Sequence, residues 1–229
     1  MRTTSEREVA AVIRVVIVDD EALVRSGFRL IVGAADDIEV VDAVDGPDAM
    51  AVIRRERPDV VLLDIRMPGR SGLDILADIR ELESPPVIAV LTTFDSDDYI
   101  AQALRAGASG FLVKDTDPVQ LPALIRSLAA GGIVLSPQVS RTIIKGYLGS
   151  GDRGAAALVG GLTERETDVL ALLATGQSNA EIAASMHVSV GTVKDHVSAI
   201  LAKLGVMTRL QAALIAERAG LTARHGDTA

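Results

Sequence analysis

Five short β-rich runs, each followed by a helical pattern, fill the first ~130 residues, and this alternation leaves few folds open. The runs are VIRVVIV (12–18), IEVVDAV (38–44), DVVLLD (59–64), VIAVLT (87–92) and GFLV (110–113). Around Val15, Val61 and Val90 they are apolar without a break. A strand with one wet face alternates apolar and polar residues, whereas a parallel strand covered on both faces does not. Helical segments are expected near 21–33, 47–56, 72–81, 97–106 and 118–130. The reading is an α/β doubly wound, five-stranded parallel sheet with the flavodoxin-like strand order 2-1-3-4-5.

After residue 130 the pattern changes. The segment SPQVSRTIIKGYL suits one short helix, with Pro137 at its first position behind Ser136. Residues 149–161, rich in Gly, Ala and Ser, read as a flexible linker. Residues 162–221 hold no sheet-forming run but four helix-start signals. Three are capping boxes: Thr163 to Glu166, Ser178 to Glu181, and Thr208 to Gln211; the fourth is Ser189 ahead of VGTVKDHVSAILAKL. The expected division is therefore a sheet domain at 12–130, a linker at 131–161 with one short helix, and a small all-α four-helix domain at 162–221.

Composition narrows the function. Hydrophobic residues make up 48% of the 229, enough for packed cores, but only 2% are aromatic. With three Phe, two Tyr and no Trp, a large aromatic-lined ligand pocket is not expected. The absence of cysteine excludes disulfides and thiolate chemistry and fits a reducing cytosol. The N-terminal MRTTSEREVA has no signal-type apolar run, and no stretch is long enough to span a membrane, so a cytoplasmic protein is expected. Residues 1–130 carry 14 basic and 23 acidic residues, a net −9 within a total of −8. An acidic first part suits a cation or phosphotransfer site; a nearly neutral last part argues against a strong nonspecific hold on nucleic acid.

In doubly wound sheets, function gathers at the carboxyl ends of the strands. Here those ends carry Asp19 and Asp20, Asp64, Thr92 and Lys114. Three clustered carboxylates repel one another unless a cation joins them, and an oxygen-only ligand set suits Mg²⁺. A carboxylate beside such an ion can attack phosphorus, while an ammonium and a hydroxyl receive the phosphoryl oxygens.

The stretches VVIVDDE, VVLLDIRMPGRSG, LTTFD and ASGFLVKD resemble, in order and spacing, the receiver domain of two-component response regulators. That resemblance implies that Asp64 is the phosphoacceptor. It implies Mg²⁺ held by Asp19, Asp20, Asp64 and the backbone carbonyl of Arg66. Thr92 and Lys114 would contact the phosphoryl group, and Phe111 occupies the aromatic switch position, where many members have Tyr. Asp115 follows the lysine where some receivers have a cis-proline.

In the last domain, Val193, Val197, Ile200 and Leu204 are spaced as one buried helical stripe. Gly191, Lys194, Asp195, Ser198 and Ala202 fall on the other side, and a short turn, MHVS, precedes the helix, which reads as helix-turn-helix. The segment LTERETDVLALLATGQSNAEIAASMHVSVGTVKDHVSAILAKLGVMTRLQAA closely resembles a LuxR-type DNA-binding domain. With a receiver in front, the chain is similar to NarL/FixJ-type response regulators. The resemblance makes 189–204 the recognition helix, with Lys194, Asp195 and Ser198 at the major groove. It offers Thr192, Lys203 and Arg209 as phosphate contacts. Asp195 either accepts from a cytosine amino group or pairs with a cation.

The implied partners are a sensor histidine kinase, double-stranded DNA and, when phosphorylated, a second copy of the chain, with no membrane. The implied role is control of transcription, not enzymatic turnover. Haloacid-type hydrolases need a second acid two residues after the nucleophile, and that position is Arg66. Regulators that read a small ligand through an aromatic pocket are opposed by the scarcity of aromatics.

Overall fold

In the computed structural model, which describes residues 12–93, 97–147 and 153–221, the β-rich runs form one parallel sheet. The strands are β1 (Ile13–Val18), β2 (Ile38–Val44), β3 (Val60–Asp64), β4 (Val87–Thr92), β5 (Gly110–Val113) and β6 (Val134–Leu135). Their order is β2-β1-β3-β4-β5-β6. The expected five-strand order is present, and a sixth strand extends it beyond β5. Five helices cover the sheet: α1 (Ala22–Val32), α2 (Ala49–Glu56), α3 (Gly72–Arg80), α4 (Asp97–Arg105) and α5 (Leu121–Ala129).

Alternate strand residues explain the unbroken apolar runs. Val16, Val18, Val61, Leu63, Ile88, Val90 and Phe111 point into one core, shared with residues of α2, α3 and α4. Val15, Ile17, Val60, Leu62, Ala89, Leu91 and Leu112 point into the other, shared with α1 and α5. A polar residue on either side would meet a helix, so neither side carries one.

The chain continues through α6 (Pro137–Tyr147) and α7 (Arg153–Gly160) to α8 (Glu164–Ala174), α9 (Asn179–Met186), α10 (Val190–Leu204) and α11 (Arg209–Arg218). The four expected caps are made. Thr163, Ser178 and Thr208 each form a reciprocal capping box, and the Ser189 hydroxyl accepts from Thr192 N. A separate core holds this unit together, built from Val169, Leu170, Leu173, Ile182, Val193, Ile200 and Leu204 with small residues of α11. Among the described residues no single helix is long and apolar enough to cross a membrane. The bent pair α10 and α11 passes that test jointly, but its buried apolar side chains line this core and, for Leu210, the core under α4.

Two features depart from the sequence reading between 131 and 161. Residues 153–160 form α7 where a flexible linker is expected; of that linker, 149–152 lie outside the described residues. The Ala and Leu residues of RGAAALVG favour a helix, and burial of Ala155 with packing of Val159 on the third core fixes it in spite of the two glycines. The second feature is β6, paired in parallel with β5 through Gly110–Val134 and Phe111–Leu135. The two halves also share an apolar seam: Leu210 of α11 is buried with Val139 and Ile143 of α6 in the core under α4.

Candidate phosphoacceptor site and DNA-reading face

The acidic side chains meet because adjacent parallel strands end together. β1 and β3 pair in register up to Val18–Leu63, and β3 and β4 up to Asp64–Leu91. The residues that follow β1 and end β3 are therefore neighbours. Asp19, Asp20 and Asp64 each offer a carboxylate oxygen, and these lie within 4.8 Å of one another. Asp19 and Asp64 are buried, whereas Asp20 is exposed.

Local bonds fix the two buried groups. Asp19 Oδ1 accepts from Glu21 N at 2.9 Å, and Asp64 Oδ1 accepts from Arg66 N at 2.9 Å. Each turn thus aims the second oxygen of its carboxylate into the site. Behind Asp64, the start of α3 closes on the strand end: Gly72 N donates to Ile65 O at 3.1 Å.

Lys114, just past the end of β5, is the counter-charge. Its Nζ donates to Asp64 Oδ2 and Glu21 Oε1, each at 2.9 Å. It also lies 2.9 Å from Asp19 Oδ2, but off the hydrogen-bond direction, so that buried oxygen has no hydrogen bond. Burial alone would depress the Lys114 pKa, but the bonds to Asp64 and Glu21 and the ion-pair contact with Asp19 outweigh it and hold the ammonium above its ordinary value. Burial raises the Asp19 pKa, and Lys114 and the Glu21 N–H only partly offset the shift. The cluster therefore holds more negative charge than one ammonium balances. An all-oxygen donor set with an orphaned buried oxygen fits a hard divalent cation.

A cavity of about 210 Å³ opens over the cluster, lined by Glu21, Asp64, Arg66, Thr93 and Lys114. Thr92 ends β4, half-buried, opposite Val113; the cavity wall carries its neighbour Thr93 instead. Of the LTTFD motif, Phe94 and Asp95 lie outside the described residues. Phe111 is fully buried in the core beneath α4. Glu21 is absent from the sequence-derived site. Glu21 stands beside the acid pair in VVIVDDE, but only the fold brings it to Lys114, 93 residues away.

On α10, Thr192, Lys194, Asp195 and Ser198 are exposed together, while Val193, Ile200 and Leu204 are buried. Ser198 Oγ donates to Lys194 O at 2.9 Å, and Thr192 Oγ1 lies 2.9 Å from Ser189 Oγ. Lys203 and Arg209 are placed otherwise. Lys203 Nζ donates to Glu166 Oε2 at 2.7 Å. Arg209 is buried, donating to Gln177 O at 2.6 Å and Asn179 Oδ1 at 3.1 Å. Its guanidinium joins the start of α11 to the start of α9 and faces no open surface in this arrangement.

The comparisons agree with both halves. The model of the response regulator receiver domain matches residues 15–126, and that of the bacterial regulatory proteins of the luxR family matches 161–216. The transcriptional regulatory protein YxjL of Bacillus subtilis (strain 168) is 39% identical over 211 residues, spanning 91% of this chain and 97% of that protein. The transcriptional regulatory protein DegU of Brevibacillus brevis is 35% identical over 214 residues, spanning 87% and 91%. The crystal structure of the response regulator ChrA, from a heme-sensing two-component system, aligns with a TM-score of 0.51 at 32% identity, covering 92% of this chain and 99% of that one. A carboxylate cluster closing a parallel sheet, followed by a helix-turn-helix, is what these relationships predict. The chain belongs to the NarL/FixJ-type response regulators of two-component systems, transcription regulators that pair a receiver, the partner of a sensor histidine kinase, with a LuxR-type domain that binds double-stranded DNA.

Proposed function

We propose that Asp64 takes a phosphoryl group from the cognate sensor histidine kinase, and that its acyl phosphate controls homodimerisation and sequence-specific DNA binding. The carrying observation is the convergence of Asp19, Asp20 and Asp64 within 4.8 Å, with Lys114 at 2.9 Å from two of them. A carboxylate oxygen of Asp64 forms the new P–O bond as the P–N bond to the kinase histidine breaks. The leaving imidazole nitrogen keeps the electron pair and takes up a proton. Mg²⁺, held by Asp19, Asp20, Asp64 and the Arg66 carbonyl, supplies the charge that lets phosphoryl oxygens approach an acidic site. Lys114 turns from Asp64 to a phosphoryl oxygen, and Thr92, with Thr93 at the cavity wall, donates a hydroxyl.

Thr92 and Phe111 then carry the change into the face formed by β4, α4 and β5. In this reading 12–130 is the receiver and 162–221 the DNA-binding unit, both working in the cytoplasm where the DNA is. Lys194, Asp195, Ser198 and Thr192 face the groove. Lys203 and Arg209 join them at the phosphates once their present partners release them. One such unit has little positive charge, so two copies on half-sites about one helical turn apart supply the affinity.

The test is incubation with Mg²⁺ and acetyl phosphate, read by intact mass and by sedimentation, for wild type and Asp64→Ala. A gain of one phosphoryl group and a shift to dimer in wild type alone is the expected result. An unchanged mass, or a mass gain with no change in assembly, overturns the reading.

A further inference from the structure

The last carbonyls of a helix find no partner within it. At the end of α4 the turn that follows supplies most of the partners, Ala106 N to Gln102 O, Ala108 N to Ala103 O and Gly107 N to Leu104 O, and the other domain adds a second donor to Leu104 O. Gln211 Nε2 donates to Leu104 O at 2.8 Å and lies 3.5 Å from Arg105 O. Thr208 Oγ1 reaches Ala108 O, in the loop after α4, at 3.5 Å. The opposite end of the same Gln211 amide faces its own domain: Oε1 accepts from Met207 N at 2.8 Å and from Thr208 N at 3.2 Å. A single side chain therefore caps the end of α4 and the start of α11.

The surroundings raise the weight of this contact. Leu210 is buried in the seam with Val139 and Ile143, but beside it lies a cavity of about 330 Å³ lined by Leu104, Arg105, Met207, Gln211 and Leu214 among others. Apolar packing between the domains is thus incomplete along α4, and a directed polar bond sets the register there. The groups that would read DNA on α10 remain exposed. What the contact withholds is α11, not the reading face.

We propose that Gln211 is the latch between the two domains, holding α11 on α4 in the unphosphorylated protein and releasing it when α4 shifts. The trigger rests on the reading of Asp64 as phosphoacceptor; the latch does not.

Two substitutions separate its two bonds. Gln211→Glu keeps the acceptor for the Thr208 and Met207 N–H groups, so the capping box survives. It loses the donor and sets a carboxylate against the negative end of α4. Gln211→Lys keeps a donor toward α4 and loses the box acceptor. Without phosphodonor, Gln211→Glu is expected to open the domains, with the closed-to-open ratio falling about tenfold. This would be read as a larger radius of gyration in small-angle X-ray scattering and faster amide exchange across 104–108 and 207–215. Gln211→Lys is expected to stay closed. Scattering and exchange of Gln211→Glu identical to wild type would overturn the latch, as would opening by Gln211→Lys alone.

Acetyl phosphate with Mg²⁺ on wild type separates the two readings. If it opens the wild type while Gln211→Glu stays closed, the latch is wrong. If Gln211→Glu opens and the phosphorylated wild type stays closed, the latch stands and the phosphoryl trigger is wrong.

Discussion

Gly72 offers a sharp test of how the sheet edge is built. It is the first residue of α3, and a Cβ added there would lie 2.0 Å from Asp64 O, 2.6 Å from Ile65 Cα and 2.8 Å from Asp64 C. All three are backbone atoms of the strand end that carries Asp64. Ordinary contact begins at 3.4 Å, so the nearest atom must retreat by about 1.4 Å, which is 3.4 − 2.0. Helix propensity pulls the other way, because Ala is favoured over Gly by up to ~1 kcal/mol in a helix interior and by less at its first position. Overpacking of this kind costs about 1–3 kcal/mol or more, and no flexible side chain is present to yield. Sterics therefore win. Gly72→Ala should lower stability by roughly 1–2 kcal/mol, seen as a lower urea midpoint at unchanged m-value. A retreat of about 1 Å at Asp64 should slow phosphorylation by acetyl phosphate on the order of 100-fold. A variant with the wild-type midpoint and the wild-type rate would refute the argument that α3 fixes the carboxylate by direct contact.

Other outcomes follow from the same geometry. Lys114→Met leaves buried Asp19 and Asp64 without their counter-charge, so stability should fall by roughly 3 kcal/mol and recover in millimolar Mg²⁺, as thermal unfolding would show. Lys203, with the Thr163 N–H, holds the Glu166 carboxyl at about 2, below its ordinary 4.5. The stabilisation is thus complete above pH 4.5 and lost as pH falls toward 2. Urea midpoints of wild type and Lys203→Met should differ at pH 6 and converge only as pH falls through about 2. Lys194→Ala should cost about 1–3 kcal/mol of DNA affinity, concentrated at particular base pairs of a bound duplex. Burial pulls the Arg209 pKa down to about 10, and Arg209→Ala should weaken the C-terminal domain in thermal unfolding.

Much of this architecture is legible in the sequence, and the reasons are local. The apolar runs at Val15, Val61 and Val90 announce strands covered on both faces, and Thr163, Ser178, Ser189 and Thr208 each mark a helix start by bonds within one turn. Asp19, Asp20, Asp64 and Lys114 converge because parallel strands expose their carboxyl ends on one edge. What sequence reading misses depends on partners distant along the chain. Glu21 earns its place only through Lys114. The two residues of β6 become a strand only because β5 lies beside them. Residues of α7 look like a linker until Ala155 is buried and Val159 packs on the third core. Arg209 reads as a surface cation because nothing local shows that Gln177 and Asn179 enclose it. The apolar residues on more than one side of α11 do carry a signal: a helix of that kind needs two partners, here its own domain and the seam under α4.

The pairing of β6 with β5 sets where this protein can be cut and recombined. Phe111 O accepts from Ser136 N at 3.1 Å, and α6 begins at the next residue. A receiver excised at residue 130 would leave β5 as an open edge with unpaired carbonyl and amide groups, inviting strand-to-strand association between molecules. Chimeras that exchange DNA-binding halves among relatives should therefore place their junction after α6, within 148–152. Chimeras joined there keep the edge covered and carry the helix that starts beside Phe111.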